Sequence, residues 1–229
     1  MTNSMTMPDR RARKPAYIID LILLTAVGGQ LAVLLARSPE GREKWMLPWD
    51  APRAGETMES GASRIAKTLG IAEPSWLEQA GAFGDGKRHP SDSDVSIAYA
   101  GLVAMGTPSP VGGVYAWFPL ADIPPLPPRQ RLTLDGAIEI VRGRMDQSPV
   151  AFKLLPQMFT LTELQQMYEL LLGKRLHKAS FRRALQSAWL VEPTDEWRSE
   201  GRGRPAQLYR YSPRKRRPAQ RGIRLDLLN

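Results

Sequence analysis

The chain has 229 residues, 42% of them hydrophobic, which supplies real cores for one large domain or two small ones and excludes wholesale disorder. It has no cysteine, and its two histidines, His89 and His177, share no metal-binding spacing. Disulfides, a thiolate nucleophile and Cys- or His-based metal sites are therefore excluded, no cofactor is expected, and the composition fits a reducing cytoplasm. The net charge of +9 is localised: fifteen Lys and Arg face five Asp and Glu from Gly173 to Asn229, while the first 172 residues carry seventeen against eighteen. Such a local excess is the electrostatic footprint of a polyanion, DNA or RNA first, with a solvated basic tail as the alternative.

Residues 1–14 read as a disordered basic arm. The run AYIIDLILLTAVGGQLAVLLA that follows has the look of a signal peptide or membrane anchor. Asp20 and Gln30 interrupt it, however, and Gly28-Gly29 divides it into two halves of strand length. V-G-G-Q between apolar runs is a hairpin signal, so the reading is two adjacent strands of a buried sheet and no membrane span.

Next comes LPWDAPRAGETMESGASRIAKTLGI, a Gly55-Glu56 turn leading into a helix over Met58 to Leu69. Further strands are expected over Val95 to Met105 and Val114 to Leu120, with loops at Gly84 to Ser93 and Thr107 to Gly113. Together these make an α+β domain. IPPLPP, Ile123 to Pro128, reads as an extended surface strap that is neither helix nor central strand; an SH3-type ligand is the alternative.

From Leu132 the spacing turns helical, with Leu134, Ile138, Val141 and Met145 on one stripe. Thr160 with Glu163 forms a capping box for a helix whose face carries Leu161, Leu164, Met167, Tyr168 and Leu171, and Gly173 stops it. A second helix, Ala179 to Leu190, places Phe181, Leu185 and Trp189 on the buried side. Two short helices around a tight turn read as a helix-turn-helix. Lys178, Ser180, Arg182 and Arg183 lie at the start of the second helix, the part that meets base edges when such a helix enters the major groove, and Lys178 and Arg182 point outward. EPTDEWRSEGRGRPAQLYRYS then reads as a β-hairpin wing with Arg198, Arg202 and Arg204 at its tip. PRKRRPAQRGIR adds a basic tail. A small helical interaction domain with a basic surface is the rival reading.

LLPQMFTLTELQQMYELLLGKRLHKASFRRAL followed by GRGRPAQLYRY resembles the NrtR-type Nudix-related transcriptional regulators of bacteria. WFPLADIPPL and LTLDGAIEIV are similar to that family's linker, with Asp135 matching and Gly136 where His is usual. The resemblance implies a Nudix-like α/β/α sandwich over 15–130, a linker helix over 131–150, a winged helix-turn-helix over 151–213 and a basic tail over 214–229. It implies a homodimer on a palindromic double-stranded DNA operator, repressing transcription in response to a nucleotide or sugar-phosphate effector such as ADP-ribose. Lys178, Ser180, Arg182, Arg183, Arg202 and Arg204 become the candidate DNA contacts; Ser180 replaces a frequent Asn.

The resemblance also identifies the Leu47–Ile71 stretch. Aligned on Glu56 and Arg64, the Nudix pattern G-x₅-E-x₇-R-E-U-x-E-E-x-G-U puts Asp50 at its first Gly and Ile65, Thr68 and Leu69 at its three later glutamates. Pyrophosphate cleavage needs Mg²⁺, and Mg²⁺ needs hard oxygen ligands that Glu56 and Glu59 alone do not supply. The expectation is therefore no enzyme and no metal, but a sensor, with Arg53, Arg64, Lys67, Lys87 and Arg88 as candidate effector ligands. The alternatives are a Nudix-type nucleoside-diphosphate hydrolase with unusual metal ligands, and a domain that only dimerises.

Overall fold

The two halves of the first apolar run fold back on each other. The computed structural model describes residues 15–38, 44–84, 86–108, 113–199 and 205–212. Strands β1 (Tyr17–Val27) and β2 (Gln30–Arg37) pair antiparallel, with Val27 opposite Gln30. Gly28 and Gly29 have φ of 56° and 76°, the double positive φ that a two-residue hairpin turn with the right twist requires. Both strands are buried on both faces, which explains a near-continuous apolar sequence in a sheet covered from two sides. Among the described residues no helix is long and apolar enough to cross a membrane.

β3 (Trp45–Met46) pairs with the end of β2, and β4 (Trp49–Asp50) with the start of β1. Helix α1 (Met58–Thr68) starts at Thr57, whose hydroxyl accepts from Ser60 N. β5 (Trp76–Phe83) and β6 (Val95–Leu102) form a second antiparallel pair, and β6 runs parallel to β1 over eight residues. β7 (Tyr115–Pro119) closes the far edge against β2. Helix α2 (Pro128–Arg144) completes this part.

Strand alternation divides β1 between two cores. Ile19, Leu21 and Leu23 pack with Ala62, Ile65 and Ala66 of α1 and its C-cap Leu69, whereas Ile22 and Leu24 join Leu134, Ala137 and Val141 of α2. The result is the expected α/β/α sandwich. Three details differ from the sequence pattern. β5 was not foreseen, because it is an edge strand with a register shift between Gln79 and Gly81 that breaks the period of two. The strand from Val95 ends at Leu102, not Met105. The helix expected near Leu132 begins at Pro128, where proline fits because the first helical N–H needs no partner, and it lies across β1, β5 and β6 as a layer of the sandwich.

A short 3₁₀ turn, Val150–Leu154, leads out of the sandwich. Met105 N donates to Leu154 O at 2.7 Å, and Ser75 Oγ to Lys153 O at 2.6 Å. Then come β8 (Met158–Phe159), α3 (Leu161–Leu172), α4 (Lys178–Ala188), β9 (Val191–Arg198) and β10 (Ala206–Tyr211), with a sheet order of β8-β10-β9. The capping box forms as read: Thr160 Oγ1 accepts from Glu163 N, and Glu163 Oε2 accepts from Thr160 N at 2.6 Å. Gly173 caps α3 in the left-handed conformation, φ 68°. Phe152 meets Phe159 and Tyr168 edge to face, and the Tyr168 ring lies tilted against Phe181 at the centre, where burial pushes the Tyr168 hydroxyl pKa up.

Trp189 is a correction. Helix α4 ends at Ala188, Trp189 takes a left-handed φ of 53°, and its side chain turns out, 54% exposed, while Phe181 and Leu185 are buried as expected. The basic arm at 1–14, the wing residues Arg202 and Arg204, and the tail at 214–229 lie outside the described residues.

Candidate nucleic-acid interface and effector cleft

The outer face of α4 is built by its inner one. Phe181, Ala184 and Leu185 seat the helix on α3, with the Phe181 ring 5.4 Å from that of Tyr168. The intervening positions are thereby turned to solvent. Lys178, at the first helical position, and Arg183 are exposed. Ser180 is half-buried, its hydroxyl 3.3 Å from His177 Nδ1. Arg182 is half-buried too, and its Nε has no hydrogen-bond partner among the described residues. The N-cap, His177, makes no side-chain cap bond, so the positive end of the helix faces outward beside Lys178.

The turn between α3 and α4 is locked by one carboxylate the sequence reading passed over. Glu169 Oε1 accepts from Leu176 N and from Gln165 Nε2, both at 2.9 Å, and Oε2 accepts from Arg175 Nη1 at 3.0 Å. Burial pushes its pKa up, but these donors outweigh that and hold it below the ordinary range. Its main-chain carbonyl accepts from Gly173 N. Arg198 is a second correction. Its Nη1 donates to Glu163 Oε1 at 2.7 Å, so it braces β9 against the capping box of α3 instead of lining a wing tip.

The chain's second candidate region surrounds α1. Asp50, Glu56 and Arg64, fourteen residues apart at most, come together. Arg64 donates to Glu56 through Nε at 2.8 Å and Nη2 at 3.0 Å, to Asp50 Oδ2 at 2.6 Å and to Ala51 O at 3.0 Å. Those bonds hold the Glu56 carboxyl down to about 2, first through Arg64 and then through Arg53 N, and push the Arg64 pKa up in return. Four hydrogen bonds thus commit the Arg64 guanidinium to the 50–56 loop. Arg53, Lys67, Lys87 and Arg88 are exposed, and Arg88 sits 3.7 Å from Asp92 in an ion pair. Ile65 and Leu69 are buried in the core beneath α1, and Thr68 donates to Ile65 O.

On the other face of the sheet lies a polar cluster with no sequence signal beyond Asp20 interrupting an apolar run. Asp20, His89 and Gln130 are all buried. Asp20 Oδ1 accepts from Gln130 Nε2 at 2.9 Å and from His89 Nε2 at 3.1 Å. Ser91 N donates to His89 Nδ1, so the ring proton sits on Nε2, facing Asp20. Gln130 also brackets Leu47, accepting from its N–H at 2.9 Å and donating to its C=O at 3.1 Å.

Residues 151–211 match the NrtR DNA-binding winged helix domain family. Over 216 residues the chain is 30% identical to the "ADPR responsive transcriptional repressor NtrR" of Acinetobacter baylyi, covering 86% of this chain and 82% of the relative. The chain belongs to the NrtR family. The crystal structure of Shewanella oneidensis NrtR with a 27-mer DNA superposes with a TM-score of 0.73 at 30% identity, over 86% of this chain and 94% of that one. A MutT/nudix family protein from Enterococcus faecalis shares the fold at TM-score 0.68 and 20% identity, over 88% and 89% of the two chains. The NrtR-type architecture read from FTLTELQQMYE and GRPAQLYRY, a Nudix-like domain followed by a winged helix, is therefore the architecture of this chain.

Proposed function

We propose that this chain is a cytoplasmic, DNA-binding transcriptional repressor that acts as a homodimer on a palindromic operator and is released by a nucleotide-like effector. The observation that carries the reading is the winged helix of the NrtR family with Lys178 and Arg183 exposed on the outer face of α4. Lys178, Ser180, Arg182 and Arg183 contact the operator from this helix, and Arg202 and Arg204 from the wing. The effector is phosphate-bearing, and ADP-ribose is the first candidate because of the Acinetobacter relative. Arg53, Lys87 and Arg88 meet it with exposed cationic side chains, whereas Arg64 braces the 50–56 loop.

The Nudix-like unit senses its ligand without cleaving it. The three positions that the resemblance assigns to carboxylates hold two core side chains, Ile65 and Leu69, and the hydroxyl of Thr68. Glu56 is already engaged by Arg64. Among the described residues no group of three or more His, Asp or Glu is arranged to hold a metal ion.

Genome-wide mapping of bound DNA tests the first part; enrichment of no common palindrome would refute it. Incubation with Mg²⁺ and ADP-ribose tests the second. No turnover above the protein-free control is expected, and steady turnover would make the chain a hydrolase.

A further inference from the structure

The Asp20–His89–Gln130 cluster is costly to bury, and its position says what it ties together. Gln130 sits in the first turn of α2 and bonds two segments at once. One is Leu47, at the entry to the 50–57 loop that carries Arg53; the other is reached through Asp20 and His89, in the 84–94 loop that carries Lys87 and Arg88. The neighbouring Arg129 Nη1 adds a bond to Ser93 O, at the end of the same loop. The two loops that carry Arg53, Lys87 and Arg88 are thus fastened to one helical turn, by residues 41 to 110 positions apart.

The other end of α2 grips the reading head. Arg142 Nε donates to Leu171 O at 2.9 Å, a carbonyl in the last turn of α3, while Glu139 holds Nη1 at 2.8 Å. Arg142 Nη2 lies 3.3 Å from where a side chain on Gly173 would begin, so the guanidinium covers the cap that leads into the α3–α4 turn. Gln130 and Arg142 are twelve positions apart, about 18 Å along the axis. Midway, Gly136 rests directly on Phe83, the residue that enters the 84–94 loop; a Cβ there would fall 2.7 Å from the ring.

We propose that α2 is the element that transmits effector occupancy to the recognition helix, with Gln130 gripping the cleft segments and Arg142 gripping the helix-turn-helix. The inference rests on the repressor reading above. A ligand that shifts the 50–57 and 84–94 loops moves the first turn of α2. The helix is stiff and pivots on the Phe83 ring, and the Leu171 carbonyl follows Arg142, which changes the pitch of α4. Gln130 and Arg142 are positioning residues; neither touches DNA or effector.

The test is a thermodynamic cycle on the full chain, using a DNA duplex that the protein selects from a random pool and ADP-ribose as the probe. In the wild type, saturating ADP-ribose is expected to change DNA affinity at least tenfold. Arg142→Met should bring that factor below twofold, while its ligand-free DNA affinity and its ADP-ribose affinity each stay within threefold of wild type. A merely structural role would lower the affinities and leave the factor. Arg142→Lys, which keeps a donor, should retain at least threefold. Gln130→Met should match Arg142→Met if it folds; if it does not, the half-exposed Arg142 decides alone. Full coupling in Arg142→Met overturns the role of α2 and leaves the repressor reading standing. A wild type that binds DNA with no response to ADP-ribose removes both this role and that effector.

Discussion

Replacing Gln130 by Leu tests the buried cluster without touching charge. The side chain is fully buried, and its amide makes three bonds, two to the main chain of Leu47 and one to Asp20. Leu47 is itself fully buried, so water cannot take over its N–H and C=O. Each stranded main-chain group costs about 1–3 kcal/mol, and the added apolar burial returns about 1–2 kcal/mol. The net loss should be about 3 kcal/mol, with Asp20 keeping only His89 as partner. Urea unfolding followed by tryptophan fluorescence measures it, read as a lower midpoint at unchanged slope. A variant within about 0.5 kcal/mol of wild type would show that the amide bonds are not what holds α2 to the sheet.

Gly101→Ala puts a Cβ 2.7 Å from Leu23 Cδ2 and 3.3 Å from the Trp76 carbonyl inside a central strand, so it should destabilise by about 1–3 kcal/mol in the same assay. Glu56 titrates near 2 in the folded chain against 4.5 ordinarily, so its contribution is present above about 4.5 and lost as pH falls toward 2. A pH series of thermal midpoints should therefore show Glu56→Gln flattening the acid limb in that window and leaving the curve above pH 6 unchanged in shape. Lys178→Ala and Arg183→Ala should each weaken DNA binding, and if either contacts phosphate the salt slope should fall by about one unit; unchanged affinity in both would displace α4 from the groove.

How far the sequence announced this structure depended on how local each signal was. The β1–β2 hairpin was legible because two apolar runs meet at Gly28-Gly29, and α3 because its cap, stripe and stop all lie within fourteen residues. Trp189 misled because i, i+4, i+8 spacing with Phe181 and Leu185 says nothing about a helix that ends one residue too soon. β5 stayed hidden because WLEQAGAF, bulged at an edge, alternates poorly. Of the basic residues expected on the outer face of α4, Lys178 is exposed, whereas Arg182 is half-buried and Arg183 takes the exposed place, because burial follows the packing of Phe181 and Leu185 and not the charge pattern. Arg64 could be found but not its commitment to Asp50 and Glu56, and the Gln130 cluster left only Asp20 in an apolar run as a trace, since its members meet only across the folded sheet.

The 3₁₀ turn at Val150–Leu154 bears on how such chains can be recombined. Its residues belong to one buried cluster that runs from Ile22 in β1 to Leu190 beyond α4, and its carbonyls take bonds from Ser75 and Met105. Sensor and reader therefore have no clean seam at this point. A chimera that joins this sandwich to another relative's winged helix should keep residues 150–155 with the winged helix, because Phe152 packs against Phe159, Tyr168 and Tyr211, and make its joint before Val150; a joint after Leu155 would part Phe152 from those three rings.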